Sequence, residues 1–474
     1  MDSLLTNRTG WKVSKYLIVS ESLYQTKDGL PIRIAFSTRN GSVIVLDQQI
    51  ADKMELLETP SVDDQLFHKL VDSQMLVPQD ENEFDSLIER NRTASADMSS
   101  REFIIFPSMS CNMGCEYCGQ EHRVADPSPH HRSIIVDRVL ATIRAAETQA
   151  VSIRWFGGEP MTGYAAILDM GSKIFDAVQS EGIGYSTSMT TNGSLLSEDR
   201  VRKLHFETGL THFHISVDGP KKMHEKRRPL KSGFGSFDRI LSTIGKVLEA
   251  PDLRNVIFQV RTNIDSDNDN CYSEFLAEAK LYGLANPRVF LEPARVRTWS
   301  PNRDMSSKFV VFDQFAEEEI AWLKEASEMG FFFRALPRSG KPVVCEAGTL
   351  ASEVITIEGD VYSCVAKPLI PIIEDEDRLG RLVNIENIAP RPLGQYDNWI
   401  DSVASGEVPC KKCSIFGLCG GGCPKEWLEG QIPCPSYRNR ANMQWRIDEI
   451  ARRNGMTKFG PGLLSAQGQT SAQK

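Results

Sequence analysis

From Phe103 to about Arg297, short apolar runs alternate with longer stretches in which apolar residues recur every three or four positions. The runs Phe103–Phe106, Val151–Phe156, Tyr185–Thr190, His212–Val217, Val256–Thr262 and Val289–Glu292 predict strands. Stretches between them, such as Asp137–Gln149, Ala165–Ser180 and Phe237–Glu249, predict helices. Strands and helices in alternation write an α/β fold with a parallel sheet, whose functional loops gather at the C-terminal ends of the strands. Upstream, Lys15–Val19, Pro31–Phe36 and Ser42–Leu46 alternate apolar and polar, and helical patterns follow near Gln48–Leu57 and Val62–Ser73. This order predicts a small α+β domain over residues 1–78. The polar stretch 79–100 predicts a linker, and the Gly-, Gln- and Ser-rich end predicts a disordered tail over 451–474.

The chain of 474 residues is long enough for two or three domains with sizeable cores. A net charge of −9 argues against general nucleic-acid binding, which needs a basic surface. No apolar run reaches the length of a membrane span and the first residues lack the apolar core of a signal peptide, so a cytoplasmic protein with no membrane partner is expected. In that compartment eleven cysteines point to metal binding or catalysis rather than to disulfides.

Ten of the eleven fall into groups, and Cys111, Cys115 and Cys118, separated by three and then two residues, are the most informative. Thiolates at such spacings hold iron–sulfur clusters, and three of them leave the fourth iron of a 4Fe-4S cubane without a protein ligand. A zinc knot would want a fourth N/S ligand, for which only His122 is near in sequence. The loop resembles that of the radical SAM superfamily. The resemblance implies that S-adenosylmethionine chelates the open iron and that its reductive cleavage releases a 5'-deoxyadenosyl radical that abstracts hydrogen. The implied core, residues 101–335, is a partial (β/α)6 TIM-like barrel.

Further motifs carry the same resemblance. Gly157-Gly158-Glu159-Pro160 looks like the family's GGEP segment, where backbone carbonyls and the glutamate receive the cofactor's ammonium. Thr190-Thr191-Asn192-Gly193 and Ser216-Val217-Asp218-Gly219 resemble segments lining ribose and methionine. Tyr117, Asn192, Ser216 and Asp218 are therefore assigned to the cofactor pocket, although Asn and Asp also cap turns routinely. Arg228, about ten residues after Asp-Gly, stands where the family grips the cofactor carboxylate, and the planar fork of arginine suits that task; Arg227 is its rival. His212 and His214 point to one face of the fourth strand and are read as core or lumen histidines rather than catalytic ones.

The remaining grouped cysteines, Cys345, Cys364, Cys410, Cys413, Cys419, Cys423 and Cys434, are similar in spacing to the iron–sulfur SPASM domain of peptide and protein maturases, here residues 336–450. The likeness implies an outer auxiliary cluster on Cys410, Cys413, Cys419 and Cys434, and an inner one on Cys345, Cys364 and Cys423. Ala351 stands where sulfatase-maturating relatives carry a further cysteine. The inner cluster is left either with an open iron or with a site filled by Cys271, Glu346, another side chain or water. Cys271 itself reads as a structural thiol or an exposed helix residue. The expected cofactors are three 4Fe-4S clusters and S-adenosylmethionine. The expected activity is a thioether or carbon–carbon crosslink in a ribosomally made peptide, with flavodoxin or ferredoxin as electron donor and the winged-helix-like N-terminal domain holding the leader. The alternatives are a formylglycine-generating sulfatase maturase and a non-catalytic iron–sulfur or zinc scaffold.

Overall fold

The computed structural model describes residues 10–26, 28–125, 128–300, 304–337, 342–343, 345–384 and 390–458. The chain falls into two compact units, one of residues 1–94, 335–344 and 399–474 and the other of 95–334 and 345–398.

The second unit is built on six parallel strands: β1 (Ser100–Phe106), β2 (Ala150–Trp155), β3 (Gly184–Thr191), β4 (His212–Ser216), β5 (Ile257–Ile264) and β6 (Val289–Arg295). Each pairs with its neighbour in sequence. The strands lie where the apolar runs placed them, with ends displaced by up to three residues. Crossover helices include α1 (Pro129–Ile143), α2 (Tyr164–Glu181), α3 (Glu198–Thr208), α4 (Phe237–Glu249) and α5 (Tyr272–Leu281). Local chemistry sets their ends. The Ser197 side chain accepts from the Arg200 amide at the start of α3, and α2 and α3 stop at Gly182 and Gly209, both left-handed. Helix α4 buries Ile240, Leu241, Ile244 and Val247, one helical stripe.

Strand alternation gives the sheet two unlike faces. Ile153, Trp155, Met189, Phe213, Ile215, Phe258 and Val260 are buried, while the residues between them, including Arg154, Ser188, His214, Ser216 and Gln259, are half-buried and polar. This is an α/β fold built on a parallel sheet, and the half-buried face carries the site.

Three boundaries differ from those expected. Strand β7 (Ser352–Thr356) continues the sheet parallel to β1, followed by antiparallel β8 (Asp360–Tyr362) and β9 (Arg378–Arg381). Residues 345–398 therefore belong with the barrel rather than with a domain beginning at 336. Fully buried Glu353 of β7 fastens the junction, accepting from Arg101 of β1 at 2.8 Å and from Arg138 Nε of α1 at 3.1 Å. Three charges cannot share so dry a site unless they neutralise and hydrogen-bond one another.

In the first unit the expected strands and helices of residues 11–78 are present, but they share cores with the chain's end. Tyr16 packs with Trp399, Val403 and Phe416, and Ile34 and Phe36 with Leu418, Met443 and Ile447. The expected linker 79–100 is largely the helix Glu83–Ala96, which buries Phe84, Leu87 and Ile88. The expected disorder from 451 is displaced as well. A helix runs over Arg440–Arg453, and Thr457–Lys458 pairs antiparallel with Tyr24–Gln25. The rest of that tail, 459–474, lies outside the described residues.

Candidate active site

Strand β1 delivers its chain into the cysteine loop, which is laced to the segment following Arg228: the Gly114 amide donates to the Pro229 carbonyl at 2.9 Å and the Lys231 amide to that of Asn112 at 2.9 Å. Burial raises the thiols of Cys111, to about 11, and of Cys115, and the nearby Cys118 adds to both shifts. Protonated thiols of this kind become ligands only when a cation displaces their protons.

The turn after β2 lies directly on this loop. A Cβ on Gly157 would stand 2.6 Å from the Ser108 carbonyl oxygen, and one on Gly158 would stand 2.6 Å from that of Ser110 and 2.7 Å from Cδ2 of His122. Only glycine permits such an approach, and Gly157 is also left-handed, at φ 122°. Glu159 is held from within the fold. Its buried carboxylate accepts from Thr191 Oγ1 at 2.6 Å, the Asn192 amide at 2.7 Å and the Met161 amide at 3.0 Å. It ties the exits of β2 and β3 together.

The remaining expected residues converge on the same place. Asn192 donates to Asn112 Oδ1 at 2.9 Å and its amide nitrogen stands 4.0 Å from Cys111 Sγ. Asp218, fully buried, accepts from the Tyr117 hydroxyl and from both nitrogens of Asn263, at 3.0 and 3.1 Å. Ser216 ends β4, half-buried. The two arginines separate. Arg227 is engaged by Asp265 at 2.7 Å and lies over the Tyr117 ring, whereas Arg228 donates to the Tyr117 hydroxyl and lies beside the Cys115 thiol, its Nε buried without a hydrogen-bond partner among the described residues. Asn263 was not anticipated. An asparagine at the end of a barrel strand was the available signal.

Three half-buried thiols on one loop, an orphaned guanidinium nitrogen, an orphaned Nε2 on His122 and a glycine cradle fit a thiolate-held iron–sulfur cluster with a carboxylate-bearing ligand beside it. Among the described residues no three His, Cys, Asp or Glu side chains close on a point as ligands of a single ion do.

In the first unit Cys410, Cys413, Cys419 and Cys434 line one cavity with Trp427 and Arg438. Burial and the other three thiols push Cys410 up to about 12. Gly420, Gly421 and Gly422 are all left-handed, so the loop before Cys423 turns through a path that side chains resist. In the second unit Cys345 and Cys364 pack together with Ala347 and Tyr396. Cys345 donates to Glu346 Oε2 at 3.2 Å, and Glu346 Oε1 is 3.1 Å from Arg154. Cys423 belongs to the first unit. Ala351 is buried just before β7. Cys271 is held against the Asn268 carbonyl at 3.2 Å, behind Gly219.

The chain is similar to the serine-type anaerobic sulfatase-maturating enzyme of Bacteroides thetaiotaomicron, 23% identical over 66% of this chain and 80% of that one. It is 25% identical to the cysteine-type enzyme of Clostridium novyi, over 69% of this chain and 88% of that one. Its fold is shared with a solved structure of anSMEcpe with bound AdoMet and Kp18Cys peptide, at a TM-score of 0.53 and 19% identity, covering 75% of this chain and 99% of that one. Residues 105–271 match the Radical SAM superfamily, and with the cysteine loop, the glycine cradle and the Tyr117–Asp218–Arg228 cluster all inside that span, the chain carries a radical SAM domain.

Proposed function

We propose that this enzyme is a radical SAM maturase that installs a thioether or carbon–carbon crosslink in a ribosomally made peptide or small protein. The observation that carries the reading is three half-buried thiols on one loop, with Arg228 beside Cys115, at the C-terminal edge of a parallel sheet. Cys111, Cys115 and Cys118 would hold a 4Fe-4S cluster, and Arg228, with Tyr117 and Asp218 fixing its position, would hold the carboxylate of S-adenosylmethionine. When bound, that pair supplies a hydrogen-atom abstractor. Asn192 and Asn263 fix the loops around the pocket, and Gly157 and Gly158 bring backbone against it. The seven C-terminal cysteines support two auxiliary clusters, and a flavodoxin or ferredoxin would supply electrons.

The similarity to sulfatase-maturating enzymes over most of their length favours a second reading, oxidation of a Cys or Ser side chain to formylglycine. Cysteine-containing peptides separate the two, because a crosslink joins two residues of the product whereas formylglycine alters one. The core of the reading is tested by replacing Cys111, Cys115 and Cys118 together with Ala. Reductive formation of 5'-deoxyadenosine should vanish, and a triple variant that still cleaves S-adenosylmethionine sinks the assignment.

A further inference from the structure

On the half-buried face of the sheet, titratable groups are paired almost throughout. Glu292 of β6 accepts from Gln259 and stands 3.5 Å from Arg261. Arg154 lies between Glu102 at 3.4 Å and Glu346 at 3.1 Å. Asp218 is closed by Tyr117 and Asn263, and the Nδ1 of His212 meets the Thr211 hydroxyl at 2.8 Å. His214 of β4 is the exception: its imidazole has no hydrogen-bond partner among the described residues, and neither ring nitrogen is sealed from solvent. It flanks Thr190 of β3 and Gln259 of β5 in register and lies two residues before Ser216 on the same face, hence about 6.6 Å deeper along the strand than a residue of the cofactor pocket.

Resting on the maturase reading, we propose that His214 is the base that meets the peptide substrate and takes up the proton its modified position releases. Closing a thioether removes two hydrogens from the peptide. One leaves as an atom to the abstractor. The other, on the cysteine thiol, leaves as a proton to an imidazole nitrogen of His214 and an electron to a one-electron acceptor of the iron–sulfur class, while sulfur bonds to the carbon that lost its hydrogen. His214 must be neutral to accept the proton. Burial lowers its pKa; Glu292 on β6 opposes this, and Arg154 on β2, His212 on its own strand and Arg334 reinforce it. The base is therefore free at and below neutral pH, and activity declines only on the acid side of the ordinary histidine range, about 6.5.

The test uses the full, anaerobically reconstituted chain and a pool of synthetic peptides, each with one internal cysteine. Diethyl pyrocarbonate should carbethoxylate His214, read by mass on the peptide that contains it, with a pH midpoint below that of free imidazole. With the best-modified peptide of the pool, His214→Asn and His214→Gln should lower kcat by about 100-fold or more with little change in KM, since a positioned base contributes at least that much. The 5'-deoxyadenosine formed per modified peptide should rise correspondingly, the acid limb of the rate profile should disappear, and added imidazole should restore part of the rate. Iron content matching the parent's distinguishes this from misfolding. Parental kcat in both variants, or a His214 that resists the reagent at every pH, overturns the proposal. So does cofactor cleavage by the parent with no peptide of the pool modified, and that outcome leaves the family assignment intact. A parent that forms no 5'-deoxyadenosine refutes the maturase reading instead.

Discussion

At Gly158 there is no room for a side chain, and the neighbours that forbid one are the backbone of the cysteine loop and the ring of His122. A carbonyl oxygen cannot move aside as the end of a flexible chain can. Gly158→Ala should displace the loop and lower bound iron by about four per chain, one cubane, with the other cysteines unaffected; iron analysis of the reconstituted variant checks this. Charge behaves as individually as shape does. Burial raises the carboxyl of Asp377 to about 6, although Lys367 and Arg391 face it. A folded-state value above the ordinary carboxylate range means that the folded chain binds this proton more tightly than the unfolded one. Its contribution to stability should therefore be present below about pH 4 and be lost as pH rises to about 6, a change of roughly 2–3 kcal/mol. Asp377→Asn should remove that slope from denaturation curves taken across the window. Such residue-level features were only partly legible. Cys111, Gly157 and Asp218 announced themselves by spacing, but Asn263 and the closed carboxylate of Glu159 depend on which loops meet, which one strand's sequence does not state.

Among the elements, the strand junction of β1, β7 and α1 invites a direct test. Glu353 is shared by two guanidinium groups in a site without solvent, and removing it takes the buried carboxylate from both. Glu353→Ala should cost about 3–5 kcal/mol, the usual range for breaking a buried ion pair, read as a shift in the denaturation midpoint. The six barrel strands and helix α4 were readable because period and burial agree along them: Ile240, Leu241, Ile244 and Val247 mark one stripe, and Phe213 and Ile215 alternate with His214 and Ser216. The helix Glu83–Ala96 was not. Its exposed face carries Asp85, Glu89, Arg92 and Thr93, polar as a linker's would be, and the three apolar residues that anchor it dock on partners more than three hundred positions away.

For the whole molecule, ten grouped cysteines predict about twelve iron and twelve sulfide per chain after anaerobic reconstitution, three cubanes' worth, and about eight of each once the β1 loop has lost its three thiols. Stoichiometric zinc in place of iron would refute the cluster assignment. Domain limits were the least legible feature of the sequence. The expected limits were 79 and 336, yet the compact units part after 94, 334, 344 and 398, because the first unit takes its core from both ends of the chain and the second recruits β7 into its sheet. That recruited strand also dictates an order of events during synthesis. Strands β1 to β6 can pair one after another as they leave the ribosome, each waiting only for its own crossover helix. Arg101 and Arg138 must wait for Glu353, more than two hundred residues later, and until it arrives two like charges face a forming core. A nascent chain arrested before Ser352 should thus hold an open, protease-sensitive barrel that snaps shut only when the last parallel strand is translated.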